Sequence, residues 1–168
     1  METVAQGICF LFLLGAVWQD ITTRKIKNWY NMTGVFVGIV LGIFGGVHGV
    51  KEAFLGFGIA FLIGIAGYVL GLFRAGDAKF LWGIGAMKGW FRFLNCFILG
   101  ILAGGMIAFA ILLIKKDGKK RIKHMGTYLK FLWLNRSYTP YVSENQKEFP
   151  FSVPVALGAV LDVFILIL

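Results

Sequence analysis

The sequence is poor in the residues from which most enzymes build sites. It holds only two cysteines, Cys9 and Cys96, both inside apolar runs and with no Cys-x-x-Cys spacing. That indicates neither a zinc site nor a disulfide framework, and both read as small core hydrophobes. Acids are scarce as well, eight against 17 Lys and Arg. Gly-rich phosphate loops are absent, because most of the 23 glycines fall within apolar segments, where close helix packing explains them. His48 and His124 have no Cys or Ser nearby in a recognisable nucleophilic arrangement and read as surface histidines. No metal or cofactor is expected. The N-terminus has neither the basic start nor the small-residue cleavage site of a secretory signal, so it is expected to remain as a helix.

Apolar length is what the chain has in abundance. Of its residues 58% are hydrophobic, and the mean hydropathy is +0.79. Several runs approach the roughly 20 residues that a helix needs to cross a hydrocarbon core. These features predict one all-α domain over 1–168, a polytopic membrane protein with six transmembrane helices. The spans are expected at 4–18, 32–47, 53–73, 80–87, 93–114 and 151–168. A polar loop is expected over 20–31, and a brief turn at Gly49, Lys51 and Glu52. The fourth span is short and needs tilt, or residues from Ala75 onward, to cross. The fifth carries Gly100, Gly104 and Gly105, a small-residue face suited to helix contact.

The 115–147 segment is basic and polar. Ile122, Met125, Leu129, Leu132 and Trp133 recur there at three- and four-residue steps between Lys and Arg. This pattern describes a basic amphipathic interfacial helix lying on an anionic inner leaflet, and it argues against nucleic acid as the partner of Lys119 to Lys123. The net charge of +9 has the same explanation. With the N-terminus outside, 14 of the 17 basic residues fall in inner loops and only Lys51, Lys88 and Arg92 outside. The positive-inside rule then puts both termini outside, in a cytoplasmic membrane.

That topology carries two acids distant in sequence, Asp20 and Asp77, to the inner face. Asp77 stands in Phe73-Arg74-Ala75-Gly76-Asp77-Ala78-Lys79, a carboxylate among cations at the mouth of an apolar segment. Read blandly, this is a solvated loop between helices; charge beside Gly at close helix packing points instead to function. Two carboxylates held a few ångströms apart share a proton, so one can act as base toward water while the other donates to a carbonyl. This is the logic of an aspartic protease and needs no metal. If a helix starts at Asp77, its dipole favours the ionised form there and makes Asp77 the water-activating partner. Asp162, inside the last span, finds no explanation in the sequence.

Asp20-Ile-Thr-Thr-Arg-Lys-Ile26-Lys27-Asn28 resembles the Asp-x5-Ile-Pro-Asn stretch of the type IV prepilin peptidases, and Ala75-Gly76-Asp77-Ala78-Lys79 resembles their Gly-x-Gly-Asp-x-Lys motif. Gly85 to Trp90 and Pro150 to Pro154 look like later family segments, so the similarity covers nearly the whole chain. Lys27 stands where the family commonly has Pro, and Arg74 replaces the first Gly of Gly-x-Gly-Asp. The resemblance implies catalytic Asp20 and Asp77, with Gly76, Lys79, Asn28 and Arg74 supporting. It implies an endopeptidase that removes the basic leader of prepilin-like membrane proteins at the cytoplasmic face, typically cutting after Gly. The cysteine-bearing cytosolic insertion that accompanies N-methylation is missing. The chain therefore resembles the short peptidase-only members of Flp-type, tight-adherence pilus systems, with no methyltransferase activity expected. Two other readings use the same acids: a related Gly-x-Gly-Asp protease with other membrane substrates, and a non-enzymatic proton- or cation-coupled transporter.

Overall fold

The computed structural model describes residues 2–114 and 151–167. They form six α-helices and no strand: α1 (Glu2–Thr23), α2 (Asn28–Phe44), α3 (Gly46–Val69), α4 (Ala75–Lys88), α5 (Trp90–Ile114) and α6 (Ser152–Ile167). The chain divides into two units, Met1–Ala103 with Pro150–Leu168, and Gly104–Phe149. Within the second, the described residues are the end of α5. The interfacial helix expected over 115–147 lies outside the described residues.

Three stretches are long and apolar enough to cross a membrane: Val4–Thr23, Gly46–Val69 and Trp90–Ala110. Two more helices are apolar but shorter, Asn28–Phe44 and Ser152–Ile165. Large apolar side chains such as Leu11, Phe36, Leu62 and Met106 point outward and are exposed. A continuous apolar exterior of this kind belongs in lipid, so this is a membrane protein.

The expected boundaries move where polar side chains satisfy helix ends. The 20–31 loop contracts to 24–27. Thr22 and Thr23 donate back to the carbonyls of Trp18 and Gln19 at 2.7 and 2.8 Å, and the Gln19 side chain accepts from the backbone N–H of Lys27 at 3.2 Å. These bonds extend α1 past Asp20 and let α2 begin at Asn28. Arg24 closes α1 in the left-handed region at φ 53°, a place usually taken by Gly. The turn expected at Gly49 to Glu52 is helical; the chain reverses instead at Gly45 and Gly46.

At 14 residues α4 is the shortest helix, about 21 Å at 1.5 Å per residue against a hydrocarbon core of about 30 Å. It is enclosed by protein. Ala78, Phe80, Leu81, Gly83, Ile84, Gly85, Ala86 and Met87 are all buried, covering every side of the helix. The backbones of α3 and α4 meet at Gly56 and Gly85, where a Cβ on either would run into the other's carbonyl oxygen. Gly89 ends α4 at φ 75°, with Glu52 packed where a side chain would stand. On α5, Gly100 serves the helix contact expected of it, against Pro154 and Val155 of α6, whereas Gly105 faces open space.

Asp162 is explained by tertiary structure. It is buried and its carboxylate pairs with Lys88 Nζ at 2.7 Å and Arg92 Nε at 3.8 Å, tying α6 to the end of α4 and the start of α5. Lys88 and Arg92, read from sequence as outer-loop charges, are thus helical and ion-paired. Removing one partner of a buried pair leaves the other charge uncompensated. Asp162→Leu is therefore expected to cost about 3–5 kcal/mol, seen as a lower unfolding temperature in detergent. Adding Lys88→Met should recover most of it.

Candidate active site

Four polar or charged side chains are buried among the described residues, Asp20, Asn31, Ser152 and Asp162. Three of them gather at one end of the helices, where α1 ends and α4 and α6 begin. Burying polar groups costs free energy, so such a concentration marks a built site.

Asp20 sits in the last turn of α1. Its Oδ2 accepts from the backbone N–H of Ser152 at 3.0 Å and from the Ser152 hydroxyl at 2.6 Å, all within the buried interior. Ser152 opens α6, so the Asp20 carboxylate occupies the N-terminal end of that helix. The neighbouring Phe151 ring packs on Phe73 at a centroid distance of 4.9 Å, holding the start of α6 beside the approach to α4.

Asp77 lies in the first turn of α4, ahead of the apolar 80–87 stretch, and is half-buried. Its Oδ2 accepts from the Arg74 backbone N–H at 3.3 Å, the local bond that starts the helix. Arg74 is extended at φ −82° and ψ 160°, a conformation open to any residue, so replacing the motif glycine with arginine strains nothing in the backbone. Its guanidinium reaches back to the Arg24 carbonyl at 3.3 Å.

The start of α2 is fastened to α4 by two more bonds. Lys79 Nζ donates to Asn28 Oδ1 at 3.2 Å, and Asn31 Nδ2 donates to the Gly76 carbonyl at 3.0 Å. A Cβ at Gly76 would meet only the Ile26 carbonyl oxygen, at an ordinary 3.7 Å, so the position serves through its carbonyl. All six residues singled out from sequence, Asp20, Asp77, Gly76, Lys79, Asn28 and Arg74, therefore fall in one neighbourhood. The Asp20 and Asp77 segments are linked through Arg24, whose backbone N–H donates to the Asp20 carbonyl at 2.9 Å and whose own carbonyl accepts from the Arg74 guanidinium at 3.3 Å. No hydrogen bond among the described residues joins the two carboxylates directly.

Sequence reasoning missed Asn31 and Ser152. Asn31 is fully buried, and its Oδ1 has no hydrogen-bond partner among the described residues. An amide in an apolar helix three residues beyond Asn28 was its available signal. Ser152 lies 132 residues from Asp20, and no local pattern links them.

Burial pushes the Asp77 carboxyl above its ordinary value of 3.8; the Arg74 backbone N–H opposes this, the Asp20 charge adds to it and the Arg74 charge opposes it. For an acid raised in the fold, the stabilising contribution is complete below the unfolded pKa and is lost as pH rises through the folded one. Asp77→Asn, which stays neutral, is expected to unfold at a higher temperature than the parent at about pH 7 and at the same temperature near about pH 3. Circular-dichroism melts in detergent check this.

The model of the type IV leader peptidase family matches residues 7–109, a stretch that includes Asp20 and Asp77. No curated protein and no solved structure matches the chain. With more than half of its length matched, the chain belongs to the type IV leader peptidase family, membrane peptidases that remove leader segments.

Proposed function

We propose that this protein is a prepilin leader peptidase, an aspartic endopeptidase in which Asp20 and Asp77 together activate water. The observation that carries the reading is the bonding that ties the end of α1 to the start of α4, with the Arg24 backbone N–H donating to the Asp20 carbonyl and the Arg74 guanidinium donating to the Arg24 carbonyl, within the stretch that matches the leader peptidase family. Carboxylates brought within a few ångströms of each other share one proton, and their titration then belongs to the pair. Asp77, whose acid form burial favours, holds that proton and donates it to the scissile carbonyl oxygen. Asp20 polarises the water. Its Oδ2 is engaged by Ser152, so the water sits at Oδ1. Lys79, Asn28 and Arg74 keep the 24–27 loop against α4, and Gly76 anchors Asn31, so the two acids stay in register.

In this reading one domain spans 1–168 and six helices cross a cytoplasmic membrane with both termini outside, because inner loops carry most of the basic residues. The acids then lie at the cytoplasmic face and the basic 115–147 segment lies on an anionic leaflet. The substrate is a prepilin-like membrane protein whose apolar helix packs beside these helices. Its basic leader ends at the depth of the acids. Cleavage without methylation fits a chain that lacks the cysteine-bearing insertion.

Co-expression with a candidate prepilin tests the proposal. The parent is expected to produce a leader-sized mass decrease, and Asp20→Asn and Asp77→Asn should each lower cleavage by about 10²–10⁴-fold or more. Substantial cleavage by either variant would overturn the shared-proton scheme, and ion-dependent flux without cleavage would favour a transporter.

A further inference from the structure

Asp20 occupies an unfavourable place on its own helix. A carboxylate in the last turn of α1 faces the negative end of that helix's dipole, beside carbonyls that lack intrahelical partners. What holds it there comes from elsewhere in the chain. The backbone N–H of Ser152 is one of the unpaired donors at the start of α6, and the Ser152 hydroxyl adds a second, shorter bond to the same oxygen. Pro154, two residues on, has no N–H to offer, which leaves the first turn of α6 few donors and makes the hydroxyl count for more.

Ser152 is itself held firmly. It is fully buried, with 0% exposure. The backbones of α6 and α5 touch at Gly158, where a Cβ would collide with Cys96 and Gly100, and Cys96 Sγ lies 3.7 Å from the Val155 carbonyl. Phe151 is packed on Phe73, and the far end of α6 is fastened through Asp162 to Lys88. With the helix pinned at both ends, its first residue cannot turn away from Asp20.

We infer that Ser152 is a positioning residue for peptide cleavage, acting through Asp20. The inference rests on the Asp20 and Asp77 reading proposed above. A carboxylate oxygen has two lone pairs, and the two Ser152 donors fill both on Oδ2. Only Oδ1 then remains to take a proton from water, and the carboxylate plane is fixed toward one side. Without the hydroxyl, Asp20 retains one donor, can rotate, and offers either oxygen.

Leader cleavage is measured against pH for the full chain in detergent or lipid with a purified prepilin-like substrate. The variants are Ser152→Ala, Ser152→Cys, Ser152→Thr and Asp20→Asn. Ser152→Ala is expected to lower kcat roughly 10- to 100-fold, the worth of a hydrogen bond to a charged group, with KM within about twofold. The acid limb of its pH profile should move to higher pH, because a donor to the ionised form is gone. Asp77, which interacts with Asp20 by charge and is itself acted on by Arg74, bears on the same limb. Ser152→Thr, which keeps the hydroxyl, should restore both kcat and profile. Ser152→Cys, similar in size with a weak donor, should behave as Ser152→Ala and serves where the alanine variant folds poorly. An unchanged acid limb in the Ala and Cys variants, or a kcat loss that Thr shares in full, overturns the inference while a dead Asp20→Asn leaves the two-acid scheme standing. Activity in Asp20→Asn overturns both.

Discussion

The structure turns on a helix too short to live in lipid. At 14 residues, α4 falls about 10 Å short of a hydrocarbon core, yet its first turn holds Asp77. A short helix with a charge at its mouth is stable in a bilayer only when other helices surround it, satisfy its ends and exclude lipid from its flanks. The glycines accomplish this. Where Gly56 meets Gly85, and Gly38 meets Ala86, backbones approach to distances that no side chain would permit, and α2 and α3 close over α4. The abundance of glycine and the burial of α4 are one fact.

Enclosure determines the electrostatics of the two acids, and does so asymmetrically. Asp77 is at the favourable end of its helix dipole, but burial raises its carboxyl and the acid form gains. Asp20 is at the unfavourable end of its own helix and is supplied with donors by a different one. Two like residues in unlike surroundings can take unlike roles, the arrangement that acid–base chemistry with a carboxyl pair requires. At the opposite ends of α4 and α6, the buried pairing of Lys88 and Arg92 with Asp162 keeps α6 seated. That pairing therefore matters to the geometry around Asp20 from the far side of the molecule.

Much of this was legible in the sequence. The apolar runs yielded six helices, and the short motif around Asp77 held together because its spacing is local: Arg74, Gly76, Asp77 and Lys79 share one helix start. Membership of the leader peptidase family was legible for the same reason. Helix ends were less legible. The Thr22, Thr23 and Gln19 side chains extend α1 through what hydropathy alone marks as loop, because hydropathy weighs residues without regard to the backbone groups they satisfy. Asp162 was opaque, since an acid in an apolar segment has no meaning until its cations are known.

By itself the sequence determined the class of molecule, its family and the number of helices among the described residues, because hydrophobic length and local motif spacing are properties of contiguous residues. Only the tertiary structure decided that α4 is wrapped by protein, that Lys88 and Arg92 belong to Asp162, and that Ser152 reaches Asp20 across 132 residues. Those outcomes depend on which helix faces which. That is settled by close packing of small residues and by the cost of leaving buried polar groups unpaired, neither of which leaves a periodic mark along the chain.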